Sequence, residues 1–430
     1  MLTVFSARHG RDCEGNSRRD FLRIGALGLS SLTLPGLLRA RAAAAEMGEQ
    51  IKQKSVIWIW LAGGPTHVET FDPKMTAPSE YRSLTGEAST PIPGVTIGGS
   101  FGRLASLVDR MAIVRSFAHG DSSHGTATQR LMTGYNDRSS MRPSLGSAMA
   151  RALGTTNPDT GMPSYVRMGS IRGDGPGWLG TTYSPFNPSG PARRNMDASV
   201  SADRLRDRRS LLGELDKLSR QMDASGQMDG IDGFEQQAFE LILGSARDAF
   251  DINKESRQMR DRYGSGLGEN LLKARRLCQA GCSFITVSYG GWDMHGGILK
   301  GFNGGRSEQV DKGVSALIED LDEQGMLDDV LVVVTGEFGR TPKINSKGGR
   351  DHWGRLCTLA LAGGGLRMGQ VIGESSPRIE VPVARPVTPQ DLMATIIHMY
   401  GLDYRLQYVN NQGRPTYLIE DGQPIAELVS

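Results

Sequence analysis

Five histidines of this chain stand in short glycine-rich segments that also hold carboxylates. His67 lies in GGPTHVETFD, His119 and His124 in HGDSSHG, His295 in GGWDMHGG, and His352 in GGRDHWG. Imidazole nitrogen and carboxylate oxygen are the donor atoms that bind zinc and related divalent ions. Loops on a rigid scaffold often carry such groups. The pattern therefore predicts a divalent metal site and metal-assisted hydrolysis, with zinc, manganese and calcium as candidate ions.

Two pairs in these segments are the clearest candidate ligands. Asp293 and His295 are separated by one residue, so in an extended segment both side chains point to one side and can reach the same ion. The alternative is that Asp293 caps the turn and His295 packs against Trp292. Asp351 and His352 are adjacent, and a carboxylate beside an imidazole commonly orients it at a metal.

Three further candidates lie near these pairs. Glu337 and Arg340 follow the apolar run at residues 330–335, where a carboxylate would bind the ion and a guanidinium would neutralise an anion. The alternative for Glu337 and Arg340 is a local ion pair. His67 is expected as an additional ligand.

His119, Asp121 and His124 span six residues of a loop that precedes a predicted helix. The start of a helix offers free N–H groups and a field that favours anions, so the phosphate or sulfate of an ester could settle there. His119 and Asp121 are expected to assist proton transfer. For His124 we keep three roles, namely ligand, general acid or base, and nucleophile. The chain has no G-x-S-x-G elbow and no Walker loop, which argues against those two enzyme classes.

Short apolar runs that end at glycine alternate with helical segments along the chain. The predicted strands include residues 55–61, 111–116, 283–289, 330–335 and 357–362. Such alternation predicts an α/β/α sandwich on a mainly parallel sheet, with the candidate loops at the carboxyl ends of the strands. A charged, methionine-rich stretch at about 201–268 reads as a helical insertion into this domain.

The first 45 residues have the order of an export signal. Arg18 and Arg19 precede an apolar run at 24–38, and small residues follow up to Ala45. This is the pattern of a twin-arginine signal peptide, which predicts a mature chain of 46–430 in the periplasm or outside the cell. Pro35 and a short apolar core disfavour a span of about 20 residues, so we expect no membrane span after cleavage. An uncleaved anchor or a cytoplasmic helix is the alternative.

The composition of the 430 residues, 38% of them hydrophobic, is that of a globular chain with ample core. Residues 46–430 carry 42 basic and 44 acidic side chains. This balance predicts no nucleic-acid partner. Nothing in the composition indicates an oligomeric state.

Several motifs together resemble the domain-of-unknown-function 1501 family. They are GGPTH at 63–67 with FDPK at 71–74, HG at 119–120 with LMTG at 131–134, GWDMH at 291–295, GEFGRTP at 336–342, and DHW at 351–353. The resemblance covers nearly all of the mature chain. That family is similar to the alkaline phosphatase and sulfatase superfamily, which implies an α/β/α fold, one or two divalent metals and hydrolysis of phosphate or sulfate esters.

The same resemblance implies roles for single residues. The spacing before Thr133 and Gly134 places His124 where sulfatases carry their nucleophile, although no Cys or Ser stands there. Glu337 takes the place of the aspartate in the superfamily's central Asp-His pair, and His352 that of its later lone histidine. The correspondents of Asp293 and His295 are the Asp and His from the preceding strand.

The acid of the superfamily's first strand has no counterpart, because Ala62 and Gly63 occupy that place. His67, Glu69 or Asp72 could substitute for it.

These observations predict an exported, metal-dependent hydrolase whose partner is an anionic phosphate or sulfate ester, possibly on a glycan. The competing hypothesis is a non-catalytic protein of the same fold that binds a glycan or a protein partner at the cell surface. Loss of the usual nucleophile and of the first aspartate favours that alternative.

Overall fold

The computed structural model describes residues 53–135, 142–189, 245–410 and 412–430. The predicted signal peptide and residues 201–244 of the predicted insertion lie outside these ranges. At the centre of the fold is strand β1 (Ser55–Ala62), whose sequence SVIWIWLA is rich in β-branched and aromatic residues. Its six internal residues are all buried, as expected for a strand that is covered on both faces.

Seven strands of the described residues form one sheet in the order β7-β2-β6-β5-β1-β4-β3. The strands besides β1 are β2 (Met111–Val114), β3 (Tyr165–Met168), β4 (Phe284–Gly290), β5 (Val330–Thr335), β6 (Leu359–Gly363) and β7 (Gln370–Ile372). Strand β1 runs parallel to both β4 and β5, and β3 runs parallel to β4. The predicted mainly parallel sheet is confirmed.

Strand β6 is the exception, because it pairs antiparallel with both β5 and β2. Leu359 at its start lies opposite Thr335 at the end of β5. The chain between these residues therefore leaves the sheet and returns to it at the same edge. The apolar run at 357–362 predicted this strand, but its direction depends on that return and not on its own residues.

Ten α-helices accompany the sheet in the described residues. They are α1 (His67–Thr70), α2 (Gly102–Ala105), α3 (His124–Thr133), α4 (Leu145–Leu153), α5 (Arg257–Tyr263), α6 (Leu267–Gln279), α7 (Ile298–Gly301), α8 (Ser307–Glu323), α9 (Pro389–Met399) and α10 (Ala426–Val429). Within the described ranges, no helix has the length and apolar character needed to cross a bilayer.

Short 3₁₀ turns at Ser245–Phe250 and Ile252–Lys254 precede α5. Four two-stranded ribbons in the described residues lie outside the main sheet. Their strands are Glu87–Ser89 with Thr96–Gly98, Gly339–Arg340 with His352–Trp353, Glu374–Ser375 with Pro382–Ala384, and Gln407–Val409 with Pro415–Tyr417.

Helices cover both faces of the sheet. On one face Ile57 and Ile59 of β1 belong to the same buried cluster as Leu271 of α6 and Val314 of α8. On the other face α4 packs so closely that a Cβ on its Gly146 would collide with the ring of Tyr165 in β3. This layered arrangement confirms the predicted α/β/α sandwich.

Candidate metal centre

The predicted loops meet at one edge of the sheet. Strands β1, β4 and β5 are parallel and end at this edge, where Gly63, Asp293 and Glu337 follow them within a few residues. Because β6 is antiparallel and begins at the same edge, the ribbon that carries His352 also comes to it. Sheet topology therefore gathers side chains that lie far apart in sequence.

The carboxylate of Asp293 stands at the centre of this group. Its Oδ1 lies 3.0 Å from Nε2 of His295 and 3.1 Å from Nε2 of His352. Its Oδ2 lies 3.5 Å from Nε2 of His124. The Nε2 atoms of His295 and His352 are themselves 3.0 Å apart. The structure thus brings these four predicted residues together, and the side chain of Asp293 is 46% exposed to solvent.

Each of the three histidines has its Nδ1 bound to an oxygen acceptor. The pairs are His124 with Glu337 Oε1 at 2.7 Å, His295 with Asp351 Oδ1 at 2.6 Å, and His352 with the carbonyl oxygen of Ser122 at 3.0 Å. This network assigns the proton of each neutral imidazole to Nδ1 and leaves a lone pair on Nε2 directed toward Asp293. Metal-binding histidines in proteins are held in this way.

The arrangement fits a divalent cation. In the neutral form of His295 and His352, with the proton on Nδ1, both Nε2 lone pairs point toward Asp293, which is the orientation that a shared cation requires. Donor atoms at about 2.0–2.2 Å from a tetrahedral zinc lie roughly 3.3–3.6 Å apart, close to the distances found here. In the group formed by His124, Asp293 and His352, the donor atoms all lie within 4.8 Å of one another.

Glu337 and Asp351 do not contact Asp293, although the sequence predicts both as ligands. Each carboxylate instead binds the Nδ1 of a histidine. Glu337 is 3% exposed, and its Oε1 also accepts the backbone N–H of Gly63 at 2.8 Å. Its Oε2 has no hydrogen-bond partner among the described residues. A buried carboxylate oxygen without a donor is a further sign that this site accommodates a cation.

Arg340 lies beneath the group and is 1% exposed. Its Nη2 donates to Asp293 Oδ1 at 2.5 Å, and its other contacts include the carbonyl oxygens of Gly63, Gly64 and Arg350. We expected this guanidinium to meet an anion, but it is buried against protein oxygens and acts on Asp293 instead.

The charge of Asp293 follows from these contacts. Partial burial alone would raise the pKa of Asp293, but the hydrogen bond and charge of Arg340, with His352 and His295, outweigh it and lower the pKa to about 2. Burial, with the charge of Arg340, lowers the pKa of His352 and outweighs the hydrogen bond that a protonated Nε2 would donate to Asp293. The hydrogen bond from His295, then that from Asn345, lowers the pKa of Asp351. The site therefore combines ionised carboxylates with a neutral imidazole at pH 7.

His119 lies beside the group, but both of its ring nitrogens are bound to the backbone. Nε2 donates to the carbonyl oxygen of Glu337 at 2.7 Å, and Nδ1 accepts the N–H of Asp121 at 3.1 Å. Burial lowers the pKa of His119 to about 4. Asp121 accepts the N–H of Ser123 at 2.9 Å, just before α3. These contacts hold the Glu337 and Asp121 loops together, which differs from the proton-transfer role expected for both residues.

The three candidates for the missing first-strand acid lie elsewhere. His67 is buried, with Nε2 3.4 Å from the carbonyl oxygen of Ile379. Glu69 accepts the hydroxyl of Ser83 at 2.6 Å and further donors of the same loop, and Asp72 accepts the hydroxyl of Ser375. The structure does not bring His67 into the group around Asp293.

The place of that acid is taken by backbone. Gly63 has φ +113°, and a Cβ built on it would lie 2.5 Å from the backbone nitrogen of Asp293, so only glycine fits. The sequence did not predict this role of Gly63, or that of Asn345, whose Nδ2 donates to His295 O at 3.0 Å and Asp351 Oδ2 at 3.3 Å. Gly63 lies in one of the glycine-rich segments, and Asn345 lies three residues before another.

A protein-family model described as "Protein of unknown function (DUF1501)" matches residues 53–429. The chain belongs to the DUF1501 family. The match confirms the resemblance that the sequence motifs indicated. No curated protein matches its sequence.

Solved structures similar to this DUF1501 protein include three enzymes. A phosphonate monoester hydrolase from Silicibacter pomeroyi is 11% identical, with a TM-score of 0.40 over 87% of this chain and 76% of the other. A lipoteichoic acid synthase from Listeria monocytogenes is 11% identical, with a TM-score of 0.38 over 90% and 82%. A sulfatase from Pseudoalteromonas sp. is 14% identical, with a TM-score of 0.37 over 86% and 72%.

Proposed function

We propose that this protein is an exported, metal-dependent hydrolase of phosphate or sulfate esters. The observation that carries the proposal is the orientation of His295 and His352, whose Nε2 atoms lie 3.0–3.1 Å from Asp293 Oδ1 while their Nδ1 atoms are bound to other oxygens. Asp293, His295 and His352 would hold the ion. When bound, a divalent ion of this kind polarises an ester oxygen and activates water.

His124 is the residue that we propose moves a proton. Its Nδ1 is bound to Glu337 and its Nε2 lies 3.5 Å from Asp293 Oδ2, so the imidazole is oriented by one carboxylate and faces the group with its second nitrogen. Nε2 accepts the proton of the attacking water and returns it to the leaving oxygen, while Glu337 stabilises the imidazolium. The side chain of His124 is 41% exposed, which leaves room for a substrate.

Arg340 contributes through Asp293. Because its guanidinium lowers the pKa of that carboxyl group to about 2, Asp293 stays ionised at any pH in which the protein would work. An ionised Asp293 gives the group of histidines the negative charge that a divalent ion prefers.

Export by the twin-arginine route, to the periplasm or beyond the cell, is the second part of the proposal. It is supported by Arg18 and Arg19, the apolar run at 24–38 and the small residues that end at Ala45. Replacement of both arginines by lysine should leave the precursor in the cytoplasm. Normal export of that double variant would contradict this part of the proposal.

The catalytic part is tested on protein purified without chelator. We expect stoichiometric metal and turnover of an aryl phosphate or aryl sulfate with zinc, manganese or calcium. His124→Ala should keep the metal and lose about 10²- to 10⁴-fold in kcat. His398→Ala, on α9, is the matched control. Protein without metal and inert to both esters with all three ions would end the enzyme hypothesis, whereas a metal-loaded but inert protein would favour the non-catalytic binder.

A further inference from the structure

Two arginines that the proposed chemistry does not use lie beside the group formed by Asp293 and the three histidines. Arg172 follows β3 in the loop GSIRG, and its guanidinium approaches α3 at Gly125, next to His124. A Cβ built on Gly125 would lie 3.0 Å from Nη1 of Arg172 and 3.3 Å from its Cζ. The guanidinium thus lies against the first turn of the helix that carries His124.

Arg306 reaches the same edge of the sheet from the start of α8. Its Nε donates to the carbonyl oxygen of Gly290, the last residue of β4, at 3.2 Å. A Cβ on Gly291 would collide with its guanidinium, which places that group two residues before Asp293. Since β3 and β4 are paired in parallel, both arginines stand at the carboxyl ends of neighbouring strands.

Neither arginine is neutralised within the described part of the chain. Throughout the described ranges, no carboxylate forms an ion pair with Arg172 or Arg306, whereas ten other arginines do so. Arg172 is exposed and Arg306 is half-buried. The guanidinium group forms paired hydrogen bonds to phosphate, sulfate or carboxylate oxygens. Two such groups beside one metal site leave two positive charges for a ligand.

We propose that Arg172 and Arg306 recognise a second anionic group on the substrate, outside the ester that is hydrolysed. This inference rests on the proposed function and deepens it, because it restricts the substrate class to esters with at least two negative groups. Of this second anionic group, Arg172 would contact the oxygens nearest His124, and Arg306 would contact the oxygens nearest Asp293.

Equilibrium binding of two unreactive probes tests the inference without turnover. Calorimetry would compare methanesulfonate with 1,3-propanedisulfonate, on both metal-free and metal-loaded protein. We expect the disulfonate to bind at least about tenfold more tightly, because its second sulfonate accepts charge-assisted hydrogen bonds from the guanidinium groups. Arg172→Gln and Arg306→Gln should each remove most of that preference.

Arg257→Gln is the control, because Arg257 is 89% exposed and pairs with Asp261 on α5. It should leave the preference unchanged. Arg172→Lys and Arg306→Lys, which keep the charge, should retain part of the preference and guard against loss of folding. Equal binding of the two probes by the wild-type protein, or an unchanged preference in both Gln variants, would overturn the inference.

The two proposals fail in different ways. A protein that prefers the disulfonate but hydrolyses no ester would keep the anion site and lose the catalytic function. A protein that hydrolyses esters and shows no preference would keep the function and lose the second anionic group.

Discussion

Asp293 Oδ1 and His352 Nε2 lie 3.1 Å apart, and in the neutral imidazole no proton lies between them, because Nδ1 donates that proton to the carbonyl oxygen of Ser122. His295 is held in the same way by Asp351. The hydrogen bond that Arg340 donates reaches Asp293 Oδ1 and not the Nε2 atoms of His295 and His352. This arrangement of acceptor atoms suits a bound cation.

Removal of the central carboxylate should remove the metal. Asp293→Asn keeps the size of the side chain and deletes its charge, so we expect metal affinity to fall by more than about tenfold. Metal content after dialysis and a competition titration with a chromophoric chelator measure the change. His398→Gln should retain wild-type affinity, and unchanged metal content in Asp293→Asn would exclude Asp293 as a ligand.

Loss of the carboxylate that orients His295 should weaken the site without emptying it. Asp351→Asn replaces the acceptor of the His295 N–H by a weaker amide, and groups in this position typically affect metal affinity about 10- to 100-fold. The same titration measures this variant, with the exposed Glu308→Gln on α8 as control. An affinity equal to that of the control would mean that the imidazole needs no such support.

Arg340→Gln should change both stability and pH dependence. Its removal leaves the carbonyl oxygens of Gly63 and Gly64 without a buried donor, which should lower the free energy of unfolding by about 1–3 kcal/mol. It also removes the main cause of the low pKa of Asp293. We therefore expect metal release in acid to begin at a higher pH than in the wild type. A release profile that does not move would show that Arg340 does not control this carboxylate.

The buried His67 should make the fold sensitive to acid. Burial, with the charge of Arg350, lowers the pKa of His67 to about 3, against about 6.5 in an unfolded chain. Between these values only the unfolded chain binds the proton, so the free energy of unfolding falls as the pH drops from about 6.5 toward 3. The loss is about 1.4 kcal/mol per pH unit.

Urea unfolding at pH 7 and pH 5 measures this effect in metal-free protein. In His67→Gln the difference between the two pH values should be smaller by about 2 kcal/mol, because glutamine does not titrate. An identical pH dependence in variant and wild type would mean that His67 is already protonated in the fold or exposed to solvent.

Local patterns predicted the strands well because each buried strand is a continuous apolar run. The run at 330–335 is strand β5, and the run at 55–61 is β1 with one residue added. The sequence also predicted four residues of the site, since their glycine-rich loops follow strands that end at one edge. These residues are Asp293, His295, His352 and His124. These features depend on neighbours in sequence, which a pattern can show.

The remaining features depend on contacts between distant segments. Nothing near Arg340 in sequence indicates that its guanidinium is buried against Gly63 and Gly64, and its predicted role differs for that reason. Glu337 was expected as a ligand of the ion, but its carboxylate binds His124, which lies 213 positions away in sequence. Arg172 was not predicted as a site residue, because a lone arginine in a loop has no distinguishing sequence pattern. Its position becomes evident only when a helix packs against it.

Strand β6 has a consequence for how chemistry and scaffold are divided in this molecule. Thr335 and Leu359 are cross-strand neighbours, so the segment between them starts and ends at a distance that a short turn could span. Glu337, Arg340, Asn345, Asp351 and His352 all belong to that segment. Five residues of the site thus lie on one segment whose two ends are fixed by adjacent strands. A change within residues 336–358 can alter the site while the sheet keeps its register.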